Sequence, residues 1–215
     1  MPEYTGQETE RAQGVTINSM LFCRHGGLIT PLWSGQNILS QYEIQKFINI
    51  ALNEADLGRA EKMVQSGDDL IGTNEVLYNN WFYNEVTLEP WCAVFVCWCA
   101  NKAGILDTRI PRTASCEQMK AGFEARGTYH SAKDYIPRAG DVFIHLYGNG
   151  KGHTGIVIAY DPINNEVYTV EGNSGDMVAK NVRTYDGYFD GFGSSGGNDY
   201  GIIPKGFGTA SSNDR

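Results

Sequence analysis

Cysteine and histidine are the residue types of this chain that could together carry out nucleophilic catalysis. Cys92 follows the segment 89–91 (Glu-Pro-Trp), whose proline favours a first helical turn, and it begins a run that is apolar on all sides. Free N–H groups and the helix dipole at such a start favour an anion and lower the pKa of a thiol. We therefore predict that Cys92 is a nucleophile, while a small buried residue without chemistry is the alternative.

A nucleophilic cysteine needs a base, and the chain contains four histidines. His25 and His130 lie in segments that predict surface positions, and the strand pattern around His145 favours a packed or edge-exposed residue. His153 follows the flexible sequence 148–152 (Gly-Asn-Gly-Lys-Gly) and opens a predicted strand. Its ring would be accessible to both a sulfur and a substrate, so His153 is the predicted base.

A third group must orient the imidazole ring, and Glu171 is the predicted one. Glu171 ends the predicted strand 166–171, which a hairpin connects to the strand that His153 begins. In a hairpin the start of one strand lies beside the end of the next, so the two residues should be spatial neighbours. Asn173 could add a further hydrogen bond. An ordinary cross-strand surface pair is the alternative interpretation.

The composition limits the classes of function. With 215 residues, 41% of them hydrophobic and 20% charged, the chain resembles a soluble globular domain with appendages. A net charge of −8 argues against binding to nucleic acid and against simple electrostatic adhesion to an anionic cell wall. No segment reaches the ~18 apolar residues of a membrane span. The N-terminus lacks the pattern of a secretory signal, which predicts delivery by another route if the protein acts outside the cell.

The five cysteines predict one reactive thiol among buried, inert ones. Cys97 and Cys99 are two positions apart, so on a helix they would face different directions and could not share a metal ion. We therefore predict neither a metal nor a cofactor. Cys116 is the rival nucleophile, because it too lies near a predicted helix start, but it has no histidine motif beside it.

Several helices should position these groups. Ser40 and Glu43 form a predicted capping box at the start of the first helix. Its apolar face recurs at helical spacing and consists of Ile44, Phe47, Ile48, Ala51, Leu52 and Ala55. A short helix is predicted at 59–65. A further helix runs from the proline before Cys92 to a stop at Gly104, and another starts near Ser115.

From residue 140 onward the hydrophobic period changes to two, which is typical of strands. Four strands are predicted at 141–147, 153–160, 166–171 and 177–183, with a fifth near 200–204. Helices followed by a meander of strands predict an α+β fold, with N-terminal helices packed on an antiparallel sheet of about five strands.

Five motifs in order along the chain resemble those of CHAP domains. They are residues 90–96 (PWCAVFV), 111–116 (PRTASC), 139–143 (AGDVF), 153–157 (HTGIV) and 170–174 (VEGNS). CHAP domains are papain-like cysteine amidohydrolases and peptidases, related to the NlpC-type cell-wall hydrolases. The resemblance covers about residues 40–208 and implies a papain-like fold.

The resemblance also implies a mechanism. Cys92 would be the nucleophile, His153 the general base and then acid, and Glu171 the orienting partner, while Asn173 matches a polar position that completes the family's site. The reaction would pass through a thioester acyl-enzyme, with the backbone N–H of Cys92 as part of the oxyanion hole. The substrate would be an amide bond of peptidoglycan. Some members carry a calcium loop of aspartates before the cysteine, which this sequence lacks.

Aromatic residues near the nucleophile are candidates for substrate binding. Residues 72–74 (GTN) and 78–81 (YNNW) resemble a segment that many CHAP domains carry before the cysteine. Tyr78, Trp81 and Trp91 are the predicted contacts with a sugar or peptide. Packing in the core is the alternative for each of them.

Residues 15–29 resemble, over a short stretch, PAAR-like proteins that tip bacterial secretion or phage-tail machines. We accordingly predict an extension or delivery module at 1–39, a catalytic domain at 40–208 and a tail at 209–215. The predicted partners are peptidoglycan and, for an injected effector or phage-type lysin, a spike and a cognate immunity protein. A non-catalytic module of such an apparatus, and a deamidase or acyltransferase acting on protein, are the alternative functions.

Overall fold

A computed structural model describes residues 21–22, 28–29 and 38–195 of the chain. The chain divides into two units, Met1–Gln36 and Asn37–Arg215. In the first unit, β1 (Leu21–Phe22) pairs antiparallel with β2 (Leu28–Ile29). His25, the fifth strand predicted near 200–204 and the tail predicted at 209–215 lie outside the described residues.

The second unit begins with helix α1 (Ile38–Asp56), which uses the predicted apolar face. Ile44, Phe47, Ile48 and Ala51 are buried, and Leu52 and Ala55 are partly buried against the same core. The helix begins earlier than predicted, so Ser40 lies inside it. The predicted capping box is therefore wrong, because an N-cap residue must have non-helical backbone angles.

Three further helices follow: α2 (Leu77–Tyr83), α3 (Cys92–Ala103) and α4 (Cys116–Ala125). Helix α3 is buried along almost its whole length and stops before Gly104, as predicted. Helix α4 starts as predicted, with the Ser115 hydroxyl accepting a hydrogen bond from the Gln118 N–H at 3.4 Å. Within the described part of the chain, none of the helices is long and apolar enough to cross a bilayer.

The short helix predicted at 59–65 is wrong. Residues Met63–Ser66 form strand β3, which pairs antiparallel with β4 (Asp69–Gly72) around a two-residue turn at 67–68. Gly67 and Asp68 form a turn that joins two strands, because Ser66 pairs directly with Asp69.

An antiparallel sheet of six strands completes the fold in the described residues. Its spatial order is β5-β10-β6-β7-β8-β9. The strands are β5 (Tyr129–Ser131), β6 (Val142–Gly148), β7 (Lys151–Asp161), β8 (Glu166–Glu171), β9 (Ala179–Thr184) and β10 (Gly191–Gly193). The α+β class and the four strands predicted between 141 and 183 are confirmed. Strands β5 and β10 were missed because three residues are too few to show an alternating pattern.

Both faces of the sheet are covered by apolar groups. Val142, Ile144 and Ile156 join the main core with the helices, whereas Phe143 and Val157 belong to a second, aromatic-rich cluster. Adjacent residues of β6 and β7 therefore pack on opposite sides, as the pleat requires. Strand β7 pairs with β6 along its first half and with β8 along its second half, so its first residues are held against β6.

Ser115→Ala tests how α4 is held. Loss of the cap should lower the free energy of unfolding by about 0.5–2 kcal/mol, measured by urea denaturation, because the Gln118 N–H loses its acceptor. Ser115→Asp should retain most of the stability. Ser66→Ala, in the exposed β3–β4 hairpin, serves as the control. Equal stability of Ser115→Ala and the wild type would contradict the capping role.

Candidate active site

Cys92 is the first residue of α3, and the groups around it fix the start of that helix. Trp91, the N-cap residue, donates a hydrogen bond from Nε1 to Glu61 Oε2 at 2.9 Å. Its ring stacks on Tyr78 with centroids 5.3 Å apart, and both side chains are fully buried. Cys92 itself is only 6% exposed. The sulfur is thus held on a rigid support at the end of a buried helix.

His153 lies near the start of β7 and contacts the cysteine from the sheet. Its ring is close enough to the Cys92 sulfur for a hydrogen bond and charge between them to shift the pKa of both groups, and its side chain is 13% exposed. In the β6–β7 register His153 pairs with His145, and the ring of Phe143 lies 5.8 Å away. The predicted cysteine and histidine are therefore neighbours.

Glu171 is the last residue of β8 and lies on the far side of the same imidazole. The distance from Glu171 Oε2 to His153 Nε2 is 2.9 Å, and the Glu171 side chain is fully buried. Gly155 provides the necessary space, since a Cβ atom there would come within 2.8 Å of Glu171 Cγ. The hairpin thus makes these two residues neighbours, as expected.

Two neighbours on the sheet hold the buried carboxylate. Arg183 of β9 donates from Nε to Glu171 Oε1 at 3.0 Å and from Nη2 to Oε2 at 2.7 Å. Thr169 donates from its hydroxyl to Oε1 at 2.6 Å. A two-pronged arginine contact of this kind fixes both the charge and the orientation of a carboxylate. The sequence analysis missed Arg183, because the β8–β9 register places it opposite Val167 and only its long side chain reaches Glu171.

The thiol of Cys116, predicted as the rival nucleophile, is a further group beside Cys92. It lies at the start of α4, with its sulfur 3.8 Å from the Cys92 sulfur. Both cysteines considered as nucleophiles are thus in one site. The hydrogen bond to Cys92, together with burial, raises the pKa of the Cys116 thiol far above its usual range, so Cys116 is the sulfur that keeps its proton.

These contacts make Cys92 the sulfur that ionises. The hydrogen bond from Cys116 is the largest influence on the Cys92 thiol, and together with the hydrogen bond and positive charge of His153 it outweighs burial. The backbone N–H of Ala93 adds a smaller contribution. The pKa of Cys92 is consequently well below its usual value, and the reactive form is a thiolate.

The imidazole and the carboxylate show the complementary shifts. Burial alone would lower the pKa of His153, but hydrogen bonds and charges from Cys92 and Glu171 raise it to about 9. Burial would raise the pKa of Glu171, yet hydrogen bonds from His153, Arg183 and Thr169 lower it to about 2. At neutral pH the site therefore holds a thiolate, an imidazolium and a carboxylate in a row.

The other cysteines of α3 have structural positions. The Cys97 thiol contacts the carbonyls of Pro111 and Thr113 at 3.4 and 3.3 Å, and burial raises its pKa to about 11. Cys99 is fully buried. Within the described residues, no group of three or more His, Cys, Asp or Glu side chains is placed to hold a metal ion.

The remaining predicted site residues differ in how much of their side chain is exposed to solvent. Asn173 donates a hydrogen bond from its side-chain amide to Asn74 Oδ1 at 3.2 Å. This bond joins the segment after β8 to the loop before α2. Trp81 is half-buried, with the guanidinium of Arg112 5.2 Å from its ring. Tyr78 and Trp91 have no exposed surface, so their burial does not support direct contact with a substrate.

Two tyrosines that the sequence analysis did not select lie near the charged groups of the site. Tyr147, near the end of β6, is 58% exposed, and burial of its hydroxyl together with the charges of Cys92 and Cys116 raises its pKa. Tyr188 stacks on His145 with centroids 4.6 Å apart and lies beneath the Arg183 guanidinium at 4.9 Å. Both tyrosines belong to the surroundings of the site, where a substrate would have to approach.

Residues 82–173 match the family model of the CHAP domain. The matched region runs from α2 to just past β8 and includes the cysteine, the histidine and the carboxylate described above. The resemblance that the motifs indicate is confirmed over these residues. The CHAP domain is typical of amidase- and peptidase-type hydrolases that act on peptidoglycan, and the helices packed on an antiparallel sheet are consistent with its papain-like fold.

Among solved structures, the chain is similar to "The crystal structure of Ly7917", with a TM-score of 0.43 and 13% sequence identity. The similarity covers 69% of this chain and 60% of that one, so the chain spans less than two thirds of the length of that structure. No curated protein matches the sequence.

The charged groups of Cys92, His153 and Glu171 predict how the reactivity of Cys92 depends on pH. Its alkylation by iodoacetamide should stay fast well below pH 8.5, the ordinary pKa of a thiol, because the thiolate persists down to the lowered pKa. Glu171→Gln removes the negative charge that keeps His153 protonated, so the midpoint of the profile should rise by roughly one to two pH units. Glu166→Gln on the same strand is the control. A wild-type midpoint near 8.5, or no shift in Glu171→Gln, would contradict the assignment.

Gly155→Ala tests the space that brings the carboxylate to the ring. The added Cβ should displace Glu171 or Phe143, so the pKa of His153 should fall from about 9 towards its usual 6.5, measured by NMR titration of the imidazole. Val182→Ala, at an exposed position of the neighbouring strand β9, should leave the titration unchanged. An unshifted His153 in a folded Gly155→Ala protein would show that Glu171 does not depend on this space.

Proposed function

We propose that this chain is a peptidoglycan hydrolase, an amidase or endopeptidase, with a Cys92–His153–Glu171 site. One observation carries the proposal: the His153 ring bridges the Cys92 sulfur and a fully buried carboxylate 2.9 Å away, within the region that matches the CHAP domain. A nucleophile, a base and an orienting group in this order are what acyl transfer by a cysteine requires.

In the first half of the reaction, the Cys92 thiolate attacks the carbonyl carbon of an amide and forms a C–S bond. The carbonyl electrons move to oxygen and then return as the C–N bond breaks. The His153 imidazolium donates its proton to the departing amine nitrogen, which leaves a thioester and a neutral imidazole. Glu171 keeps the ring in place and stabilises its positive charge before the transfer.

In the second half, His153 takes a proton from water, whose oxygen attacks the thioester carbon. The C–S bond breaks, and Cys92 leaves as a thiolate that the regenerated imidazolium again neutralises. The carboxylic acid product then departs. Arg183 and Thr169 keep the charge on Glu171 throughout, because a carboxylate with a pKa of about 2 does not accept the proton of the ring.

The start of α3 would hold the negative oxygen of the tetrahedral intermediate. Cys92 occupies the first helical position, where a backbone N–H has no acceptor within the helix. We assign this N–H to the oxyanion hole, where removal of one donor typically slows an enzyme about 100- to 1,000-fold. Asn173, near the end of β8, would support the site from the side of Glu171 through its contact with Asn74.

Trp81, Tyr147 and Tyr188 are the aromatic residues that we propose as contacts for peptide or sugar, because each retains exposed surface. The fully buried Tyr78 and Trp91 would act indirectly, by holding the helix start. Delivery by a secretion or phage-tail spike, and a cognate immunity protein, remain predictions from residues 15–29.

Cys92→Ala tests the proposed function. Purified sacculi incubated with the wild type should release muropeptides with new amine or carboxyl termini, and mass spectrometry of the products identifies the bond that is cut. Cys92→Ala should abolish this release while circular dichroism shows an unchanged fold, because Cys92 is the sulfur whose pKa His153 lowers. Cys99→Ala, a thiol of the same helix, is the control and should keep its activity.

Two results would contradict the proposal. Release by Cys92→Ala at the wild-type rate would move the nucleophile elsewhere. A wild-type protein whose Cys92 is alkylated as a thiolate but which releases nothing from sacculi of any type would instead favour the deamidase or acyltransferase alternative.

A further inference from the structure

The site contains one thiol more than the proposed reaction uses. The sulfur atoms of Cys92 and Cys116 lie 3.8 Å apart, and each residue is the first of its own helix. A disulfide has an S–S length of about 2.05 Å, so the two atoms need to approach by about 2 Å. Rotation of a cysteine side chain between staggered positions moves its sulfur on this scale.

Hydrogen bonds fix the backbone around the pair, so the fold itself keeps the two sulfur atoms close together. The N–H of Thr113 donates to the Cys97 sulfur at 3.4 Å, which ties the segment before α4 to α3. The Thr113 hydroxyl accepts from the Ser115 N–H at 3.0 Å, next to Cys116. The helix that carries Cys92 and the turn that carries Cys116 are thereby linked a few residues from both sulfurs.

The strand beside the pair also leaves room for the second thiol. A Cβ atom on Gly152 would lie 2.9 Å from Cys116 Cβ, so only a glycine next to His153 lets Cys116 pack this closely. Cys116 is 5% exposed and Cys92 6%. With so little surface exposed, an oxidised Cys92 meets the adjacent Cys116 sulfur more readily than a thiol of another molecule.

We propose that Cys92 and Cys116 form an oxidation site, at which hydrogen peroxide converts the nucleophile into a reversible Cys92–Cys116 disulfide. The disulfide would protect Cys92 from irreversible oxidation. It would also stop the hydrolysis, and this part alone rests on the proposed function.

The chemistry balances in two steps. The Cys92 thiolate attacks one oxygen of the peroxide, an S–O bond forms, the O–O bond breaks, and the hydroxide released takes a proton to become water. Cys92 is then a sulfenic acid, oxidised by two electrons. The Cys116 sulfur attacks it, the S–S bond forms, the S–O bond breaks, and the hydroxide leaves as water with the proton of Cys116. In total, two thiols and one peroxide give one disulfide and two waters.

The order of these steps follows from the charges. Cys92 reacts first because it is the thiolate of the pair. The negative charge and hydrogen-bond acceptance of Cys92 keep the proton on Cys116 in the reduced site. A sulfenic acid at Cys92 no longer carries that charge, so Cys116 ionises more readily when it is needed as the resolving thiol.

The other thiols of α3 are poor competitors. The Cys97 thiol is hydrogen-bonded to backbone carbonyls of residues 111 and 113, and burial raises its pKa to about 11. The Cys99 thiol is completely buried, and burial keeps its pKa well above the usual value. Cys23 lies outside the described residues. The experiment therefore uses a Cys23→Ser background, so that any disulfide detected joins two of the four cysteines described here.

The test treats this full-length Cys23→Ser protein with a small excess of hydrogen peroxide, blocks free thiols with N-ethylmaleimide under denaturing conditions, and maps the peptides by mass spectrometry without reduction. The expected result is a linked peptide pair containing Cys92 and Cys116, with Cys97 and Cys99 alkylated. Dithiothreitol should restore both thiols. In Cys116→Ser no linked pair should form, and sulfinic acid at Cys92 should accumulate at least about tenfold faster than in the background protein, since no resolving thiol intercepts the sulfenic acid.

Circular dichroism and thermal unfolding of Cys116→Ser establish that it folds, and alkylation of its Cys92 establishes that the thiolate persists. The proposal is overturned if Cys92 of the background protein proceeds to sulfinic acid as fast as in Cys116→Ser, or if a linked pair forms that does not contain both residues. The peptide map requires no hydrolytic activity, so it separates failure of this proposal from failure of the proposed function. If the protein hydrolyses sacculi, peroxide should abolish that activity and dithiothreitol should restore it, in the background protein but not in Cys116→Ser.

Discussion

The buried carboxylate of Glu171 is the constraint around which the site is organised. A charge with no exposed surface is tolerated only when its partners satisfy it, and removing one partner of such a pair typically costs about 3–5 kcal/mol. Arg183 and Thr169 supply the fixed partners from the sheet, and His153 supplies the third. Because two of the three come from neighbouring strands, the position of the imidazole follows from the register of the sheet.

The opposite side of the site depends on the apolar helix α3. Its burial against the sheet and α1 places Cys92 where the helix start and the histidine meet. The buried indole of Trp91 and its hydrogen bond to Glu61 hold the first turn of α3 in place. Tyr78 and Trp91, two of the predicted substrate contacts, are part of this buried support, while Tyr147 at the end of β6 is exposed to solvent.

Cysteine appears in this core in three chemical settings. Cys97 joins a loop to a helix, Cys99 fills space, and Cys92 and Cys116 share one hydrogen bond. Residue type and hydropathy are identical in all of these settings. Their different reactivity arises from what surrounds each sulfur, because burial alone raises the pKa of a thiol, whereas a proton donor and an imidazolium lower it.

The sequence alone determined the elements and the neighbouring positions of His153 and Glu171: the apolar run of α3 and the alternation of β6 to β9 are local patterns, and the hairpin between β7 and β8 makes the two residues neighbours by connectivity. It placed the start of α1 wrongly and mistook the β3–β4 hairpin for a helix, since short or uncapped segments have weak local signals. Only the tertiary structure decided that Arg183 holds Glu171 and that Cys116 meets Cys92. These contacts join elements that are distant in sequence, and their distances are set by packing and strand register, which no local pattern of residues encodes.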